Sequence, residues 1–294
     1  MKKIIINSLI LLLIFLFGSF FMILSFAAIM GAFADNLGIA KGTGFIISFL
    51  VAFGLSWLAL LGFKKKIGFS GVIVTFGVVI LGLMILNGYN ATIKFTIKTL
   101  PFYITWLLGL LAGYYYYIGK WQRILVMIAL ALFPVVMAAG FNDLWIHKIE
   151  YGNWTGNVEA EEVPPFEFLD KEESVVSNNT LKGRVVLLDF WFVRCPPCWV
   201  KFPELQRIYE NYRDNDSFAL YAVNRNDDPE ELFSKIEDKG YTFPVLRGNQ
   251  DLMDALGIYK YPTVMILDKE GKKIFLGNLD DAEKKLEYIL NADP

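Results

Sequence analysis

The chain has 294 residues, of which 55% are hydrophobic, 16% aromatic and 20% charged; soluble domains average about 45–50% apolar and about 25% charged residues. Residues 1–150 carry 11 Lys/Arg against 3 Asp/Glu, and residues 151–294 carry 17 against 27. A sparse, basic half followed by a dense, acidic half excludes a single soluble globule, a disordered chain and a collagen-like chain; it predicts a membrane part followed by a soluble part and argues against nucleic-acid binding.

In the first half, five uncharged apolar stretches fall at 4–33, 44–63, 67–87, 99–119 and 124–141. Each meets or approaches the roughly 20 residues that a spanning helix needs. Lys2, Lys3, Lys64, Lys65, Lys66, Lys120 and Arg123 lie at alternate ends of these stretches, and the opposite loops hold only Lys41, Lys94 and Lys98. By the positive-inside rule the N-terminus is cytoplasmic, and five crossings place Asn142 onward outside. The first stretch resembles a secretory signal, with Lys2-Lys3 ahead of it and Ala32-Phe33-Ala34 at its end. Its apolar run is longer than the usual core of about 7–15 residues, so it reads as a retained helix. No Asp, Glu, Lys, Arg or His lies inside the stretches, which disfavours an ion or proton pathway. Gly109 and Gly113 have the spacing of a helix–helix contact. A membrane part without cysteines has no thiols of its own to carry electrons across.

Residues 142–162 are mixed, polar and broken by glycine, and read as a connector between a membrane domain at 1–141 and a soluble domain at 163–294. In the soluble domain, 184–192 is a continuous apolar run, as for a strand buried on both faces. A helix follows at 196–212, a strand at 218–224, a helix at 229–239 and a short helix at 249–257. Strands at 263–268 and 272–277 are joined by an Asp268-Lys269-Glu270-Gly271 turn, and 280–290 is a closing helix. The expected fold is a multi-pass α-helical membrane domain followed by an α/β domain with a central mixed sheet.

Cys195 and Cys198 are the only cysteines and His147 is the only histidine. A framework of several disulfides and a cysteine zinc site are excluded, and His147 reads as an interfacial residue after a membrane helix; no metal or separate cofactor is expected. Cys195-Pro196-Pro197-Cys198 follows a strand and opens a helix. A thiolate there meets the positive end of the helix dipole and free backbone N–H groups, which activates the first cysteine as a nucleophile. The two-residue spacing lets the second sulfur reach the first, so the pair can exchange a disulfide with a partner. Pro196 and Pro197 lack N–H groups that a helix start leaves unpaired anyway.

Residues 163–294 resemble the TlpA/ResA group of extracytoplasmic thiol–disulfide oxidoreductases, which have a thioredoxin fold. The resemblance rests on Pro165-Phe166 before a first strand, Leu181-Lys182-Gly183-Arg184 at the entry to the core strand, and Asp189-Phe190-Trp191 followed by Cys195 and Cys198. Pro203 matches a helix-kinking proline, and Gly257-Ile258 with Tyr261-Pro262-Thr263 matches the segment that carries a cis-proline. The resemblance implies that Cys195 attacks and Cys198 resolves. Asp189 aligns with the buried carboxylate that takes a proton from the resolving cysteine, and an acid inside so apolar a strand is costly to bury without a use or a partner. Pro262 would pack against the disulfide, and Tyr261, with Trp191, Pro196 and Pro197, would contact the client polypeptide. The chain departs from the group at Lys201, where an acid is usual, and at Arg194, where an aromatic is common. Both place positive charge near the thiols, which favours thiolate.

Two functions of different kinds fit. One is a membrane-tethered enzyme acting outside a bacterial cytoplasmic membrane on protein thiol or disulfide clients, mainly as a reductase, with cytochrome c cysteines or another folding client as the family suggests. That direction needs electrons from a separate membrane carrier, and an oxidase would need a quinone-linked partner. The other is a redox-responsive membrane protein whose helices carry transport or assembly. The complete motif set favours the enzyme.

Overall fold

In a computed structural model of the chain, the described residues are 42–63, 93–119 and 122–292, with Leu16, Gly18, Phe20, Ile23, Leu24 and Ile85 besides. Most of the stretches 4–33 and 67–87 lies outside them. The chain forms two compact units, Met1–Ile149 and Glu150–Pro294.

The first unit contains α1 (Thr43–Phe63), α2 (Ile93–Ile118), α3 (Arg123–Val136), a π-helical turn (Met137–Phe141) and most of α4 (Asn142–Tyr151). Among the described residues, two helical segments are long and apolar enough to cross a membrane, Thr43–Gly62 and Arg123–Tyr151. α2 starts six residues before the expected 99, so Lys94 and Lys98 lie on the helix and not in a loop. α1 and α2 pack closely at the two spaced glycines. A Cβ at Gly109 would lie 2.6 Å from the Phe49 carbonyl oxygen, and one at Gly113 would lie 2.5 Å from that of Phe53. Ser56 lies at the same contact and donates to the Leu110 carbonyl at 2.9 Å. Beyond α3 the helix bends at Gly140, whose φ of 115° breaks helical geometry, and then resumes.

The segment read as a connector is therefore structured. α4 occupies its first ten residues, and β1 (Asn157–Glu161) adds an edge strand to the sheet of the second unit. Asp143 sits in the first turn of α4 and Lys148 in its last, where each charge suits the helix dipole.

The second unit continues with β2 (Glu167–Leu169), β3 (Val175–Ser177), α5 (Asn178–Leu181), β4 (Val185–Trp191), α6 (Pro196–Tyr212), β5 (Phe218–Asn224), α7 (Pro229–Asp238), β6 (Val245–Arg247), α8 (Gln250–Ala255), β7 (Thr263–Leu267), β8 (Lys273–Gly277) and α9 (Leu279–Ala292). The eight strands form one mixed sheet in the order β1-β8-β7-β4-β5-β6-β2-β3. β4 lies near its centre, parallel to β5 and antiparallel to β7. All seven residues of β4 are buried. Val185, Leu187 and Trp191 enter one core with Phe202, Leu205 and Ile208 of α6 and Leu286 of α9. Val186, Leu188 and Phe190 enter the other core, on the face of α5 and α8. This two-sided burial, bridged by a β4–α6–β5 crossover, is the thioredoxin-like α/β architecture with a central mixed sheet.

Candidate active site

β4 delivers the chain to the carboxyl edge of the sheet, where open α/β sheets place their sites. Phe192, Val193 and Arg194 form the loop, and α6 starts immediately after Cys195. Cys195 is the N-cap: its backbone is extended, and its Sγ accepts the Cys198 N–H at 3.3 Å. Pro196 and Pro197 are the first two helical residues and both are exposed. Neither has an N–H to leave unpaired, so the N–H groups at the cap come from later residues. Cys195 and Cys198 form a disulfide with Cα atoms 5.3 Å apart. Both cysteines are buried, at 1% and 0% exposure. Pro203 lies inside α6.

Side-chain alternation along β4 puts Asp189 on the same face as Leu187 and Trp191, the face that contains both cysteines. Asp189 is 3% exposed. Burial pushes its carboxyl up to about 8, because the charged form loses its water.

The segment with the expected cis-proline meets this edge through β7. Thr263, the first residue of β7, pairs with Phe190, and Tyr261 and Pro262 immediately precede it in the chain. The Tyr261–Pro262 peptide is cis. The Phe192 and Tyr261 rings meet edge to face with centroids 5.4 Å apart.

Trp191 does not sit where a client would touch it. It is fully buried, with its ring edge to face against Trp199 and Phe202. It supports the active-site loop from beneath, and the reading of it as a client contact is corrected on that ground. Lys201 is held by two carboxylates, Glu204 at 2.9 Å and Asp280. Burial lowers its pKa, but those hydrogen bonds outweigh it and the net shift is upward. The ammonium therefore stays charged, with its field offset by two neighbouring anions. Arg194 is exposed.

Three residues that motif reading passed over build the loop. The Asp227 carboxylate accepts the Val193 N–H at 2.6 Å and the Asn224 side-chain amide at 2.8 Å. Trp199 Nε1 donates to the Val193 carbonyl at 2.7 Å. Arg225 N–H donates to the Trp191 carbonyl at 2.9 Å. The available signal was the polar run Asn224–Asp228 at the carboxyl end of a strand beside β4, where such loops form sites.

The family model described as AhpC/TSA family matches residues 160–273. The thiol–disulfide oxidoreductase ResA of Halalkalibacterium halodurans is 30% identical over 136 residues, which cover 44% of this chain and 76% of that protein. The chain belongs to the ResA family of thiol–disulfide oxidoreductases. ResA of Geobacillus thermodenitrificans is 29% identical over 175 residues, 58% of this chain and 98% of that protein, so that match is longer than the second unit and extends upstream of Glu150. The thioredoxin domain of a Bacteroides vulgatus thiol–disulfide oxidoreductase is 26% identical, covers 45% of this chain and 98% of that one, and has a TM-score of 0.41. Cys195 and Cys198 are the only cysteines in the chain.

Proposed function

We propose that this protein reduces disulfides in client proteins outside the cytoplasmic membrane, to which its N-terminal half tethers it. The observation that carries the reading is the Cys195–Cys198 pair at the start of α6, on the same sheet face as the buried carboxyl of Asp189. In the reduced enzyme, the Cys195 thiolate attacks one sulfur of a client disulfide. The client's other sulfur leaves as a thiolate and takes a proton from solvent. Ionised Asp189 accepts the Cys198 proton, and Cys198 attacks Cys195 Sγ. The Cys195–Cys198 disulfide forms, the second client sulfur leaves, and Asp189 returns its proton to it, directly or through water. The client gains two electrons and two protons, which a membrane-bound dithiol carrier must restore to the enzyme.

The tether is supported by the apolar helices Thr43–Gly62 and Arg123–Tyr151, and the outside location by the distribution of basic residues. The family resemblance suggests cytochrome c cysteines as one client class, with Tyr261 contributing backbone to a client strand. The reduction potential of the full chain in detergent tests the direction. A reductase should lie near the thioredoxin value of about −270 mV, and a value near about −120 mV, typical of a strong oxidant, would overturn it.

A further inference from the structure

Arg225 stands where the two halves of the site meet. It is the first residue after β5, and its N–H bond to Trp191 fixes it beside the active-site loop. Its guanidinium carbon lies 4.9 Å from the centroid of the Phe192 ring and 5.6 Å from that of Tyr261. Phe192 is three residues before Cys195, and Tyr261 immediately precedes the cis-proline. Two aromatic faces thus orient one planar cation.

The donors of that cation have no protein acceptor. Among the described residues no carboxylate lies within ion-pair distance of Arg225 and its guanidinium donates no hydrogen bond, whereas Arg207 is paired with Glu283 and Arg247 with Glu173. The acid closest in sequence, Asp227, accepts from Val193 and Asn224 instead. Lys260, the other nearby cation on the cis-proline side, is paired with Glu150. Tyr261 Oη is buried and also has no hydrogen-bond partner. Arg225 is half-buried, so its N–H groups are partly removed from water and have no internal partner. Residues 151–294 carry an excess of acid, so an unpaired guanidinium against Phe192 and Tyr261 is a local exception to that charge.

We propose that Arg225 is a specificity residue that receives an Asp or Glu carboxylate of the client close in sequence to the client's cysteine. The stacked guanidinium presents a fork of parallel N–H donors, which matches a carboxylate and no other protein side chain so well. The client would thereby be selected by charge before the sulfurs exchange. Arg225 takes no part in the exchange itself. This inference rests on the exchange chemistry proposed above.

The test uses the reduced full chain in detergent and peptides containing one intramolecular disulfide. Glu, Gln or Lys is placed in turn at each of the three positions on either side of the attacked cysteine. Exchange rates are divided by those with dithiothreitol, which removes the effect of each neighbour on the peptide's own reactivity. At one or more positions Glu should exceed Gln by about tenfold, the scale of one charge-assisted hydrogen bond, and Lys should be slowest. Arg225→Gln should bring the Glu/Gln ratio close to one. Arg225→Lys should keep part of the preference, and Arg225→Glu should reverse it toward Lys. Loss of packing at Arg225 would slow all three peptides together and could not reverse their order. A ratio near one at every position, or a preference that survives in Arg225→Gln, would overturn the proposal. No exchange with any peptide would instead overturn the exchange reading.

Discussion

At the scale of single residues, Asp189 links stability to chemistry. A carboxyl raised to about 8, from about 3.9 in an unfolded chain, binds its proton more tightly when folded. Between these two values the folded state holds more protons than the unfolded state, so stability falls as pH rises from about 4 to about 8. Asp189→Asn removes this dependence and should stabilise the protein at pH 7 by an amount on the order of a few kcal/mol, read from denaturant midpoints at pH 5 and pH 7. The gain should be larger at pH 7, and an equal gain at both would contradict the assigned burial cost. The same substitution should slow resolution. Mixed disulfides with clients should accumulate in Asp189→Asn, with the excess over wild type growing as pH approaches about 8, where the wild-type carboxylate ionises, and more still in Cys198→Ser. Cys195→Ser should trap few. Equal trapping by the two cysteine variants would remove the assignment of attacker and resolver.

At the scale of elements, legibility in sequence followed the strength of local signals. α6 runs from Pro196 to Tyr212 and β5 from Phe218 to Asn224, as read from sequence, because a cap, two prolines and continuous apolar runs fix their ends. β1, β3 and β6 were not legible. β1 is mostly exposed and exists by pairing with β8, while β3 and β6 are three residues each and gain their order from neighbours. The cysteines and the cis-proline segment could be read because specific residue types at set spacings define them. Asp227, Trp199 and Arg225 could not, since their roles depend on which loop lies beside β4. Trp191 was misread for a related reason: sequence places an aromatic near the cysteines but not the side of the loop it faces. In the first unit the spaced glycines permit a test. Gly113→Leu should destabilise the α1–α2 contact by about 1–3 kcal/mol, as overpacking does, because Phe53 O and Ser56 Cβ occupy the space. A Cβ added at Gly54 would meet no other side chain or neighbouring element within 4 Å among the described residues, so Gly54→Leu should cost less. Unfolding in a rising fraction of SDS, followed by tryptophan fluorescence, measures both; equal midpoints would mean that α1 and α2 do not depend on the close approach.

At the scale of the whole molecule, charge divides the chain as sharply as its two units do. Residues 1–150 are basic and residues 151–294 acidic, and the basic residues of the first half concentrate at alternate ends of its apolar stretches. Lys and Arg resist transfer across a membrane during insertion while Asp and Glu contribute little to orientation, so the expected split of seven basic residues against three would orient the expected helices together. Under the proposed topology an odd number of crossings would put the exchange site outside, where disulfides persist and the proposed reductase would have substrate. The chain offers a clean test because it has only two cysteines. With Cys195→Ser and Cys198→Ser in place, no thiol remains, and one can be introduced on either side. Tyr288 is 73% exposed on α9, so Tyr288→Cys should react with a membrane-impermeant maleimide on intact spheroplasts. Lys65→Cys, in the basic run Lys64-Lys65-Lys66 expected on the cytoplasmic side, should react only after permeabilisation. The reverse pattern would invert the molecule, and labelling of both sites on intact spheroplasts would require an even number of crossings between them. Either result would separate the exchange chemistry of Cys195 and Cys198, which does not depend on topology, from the compartment in which it acts.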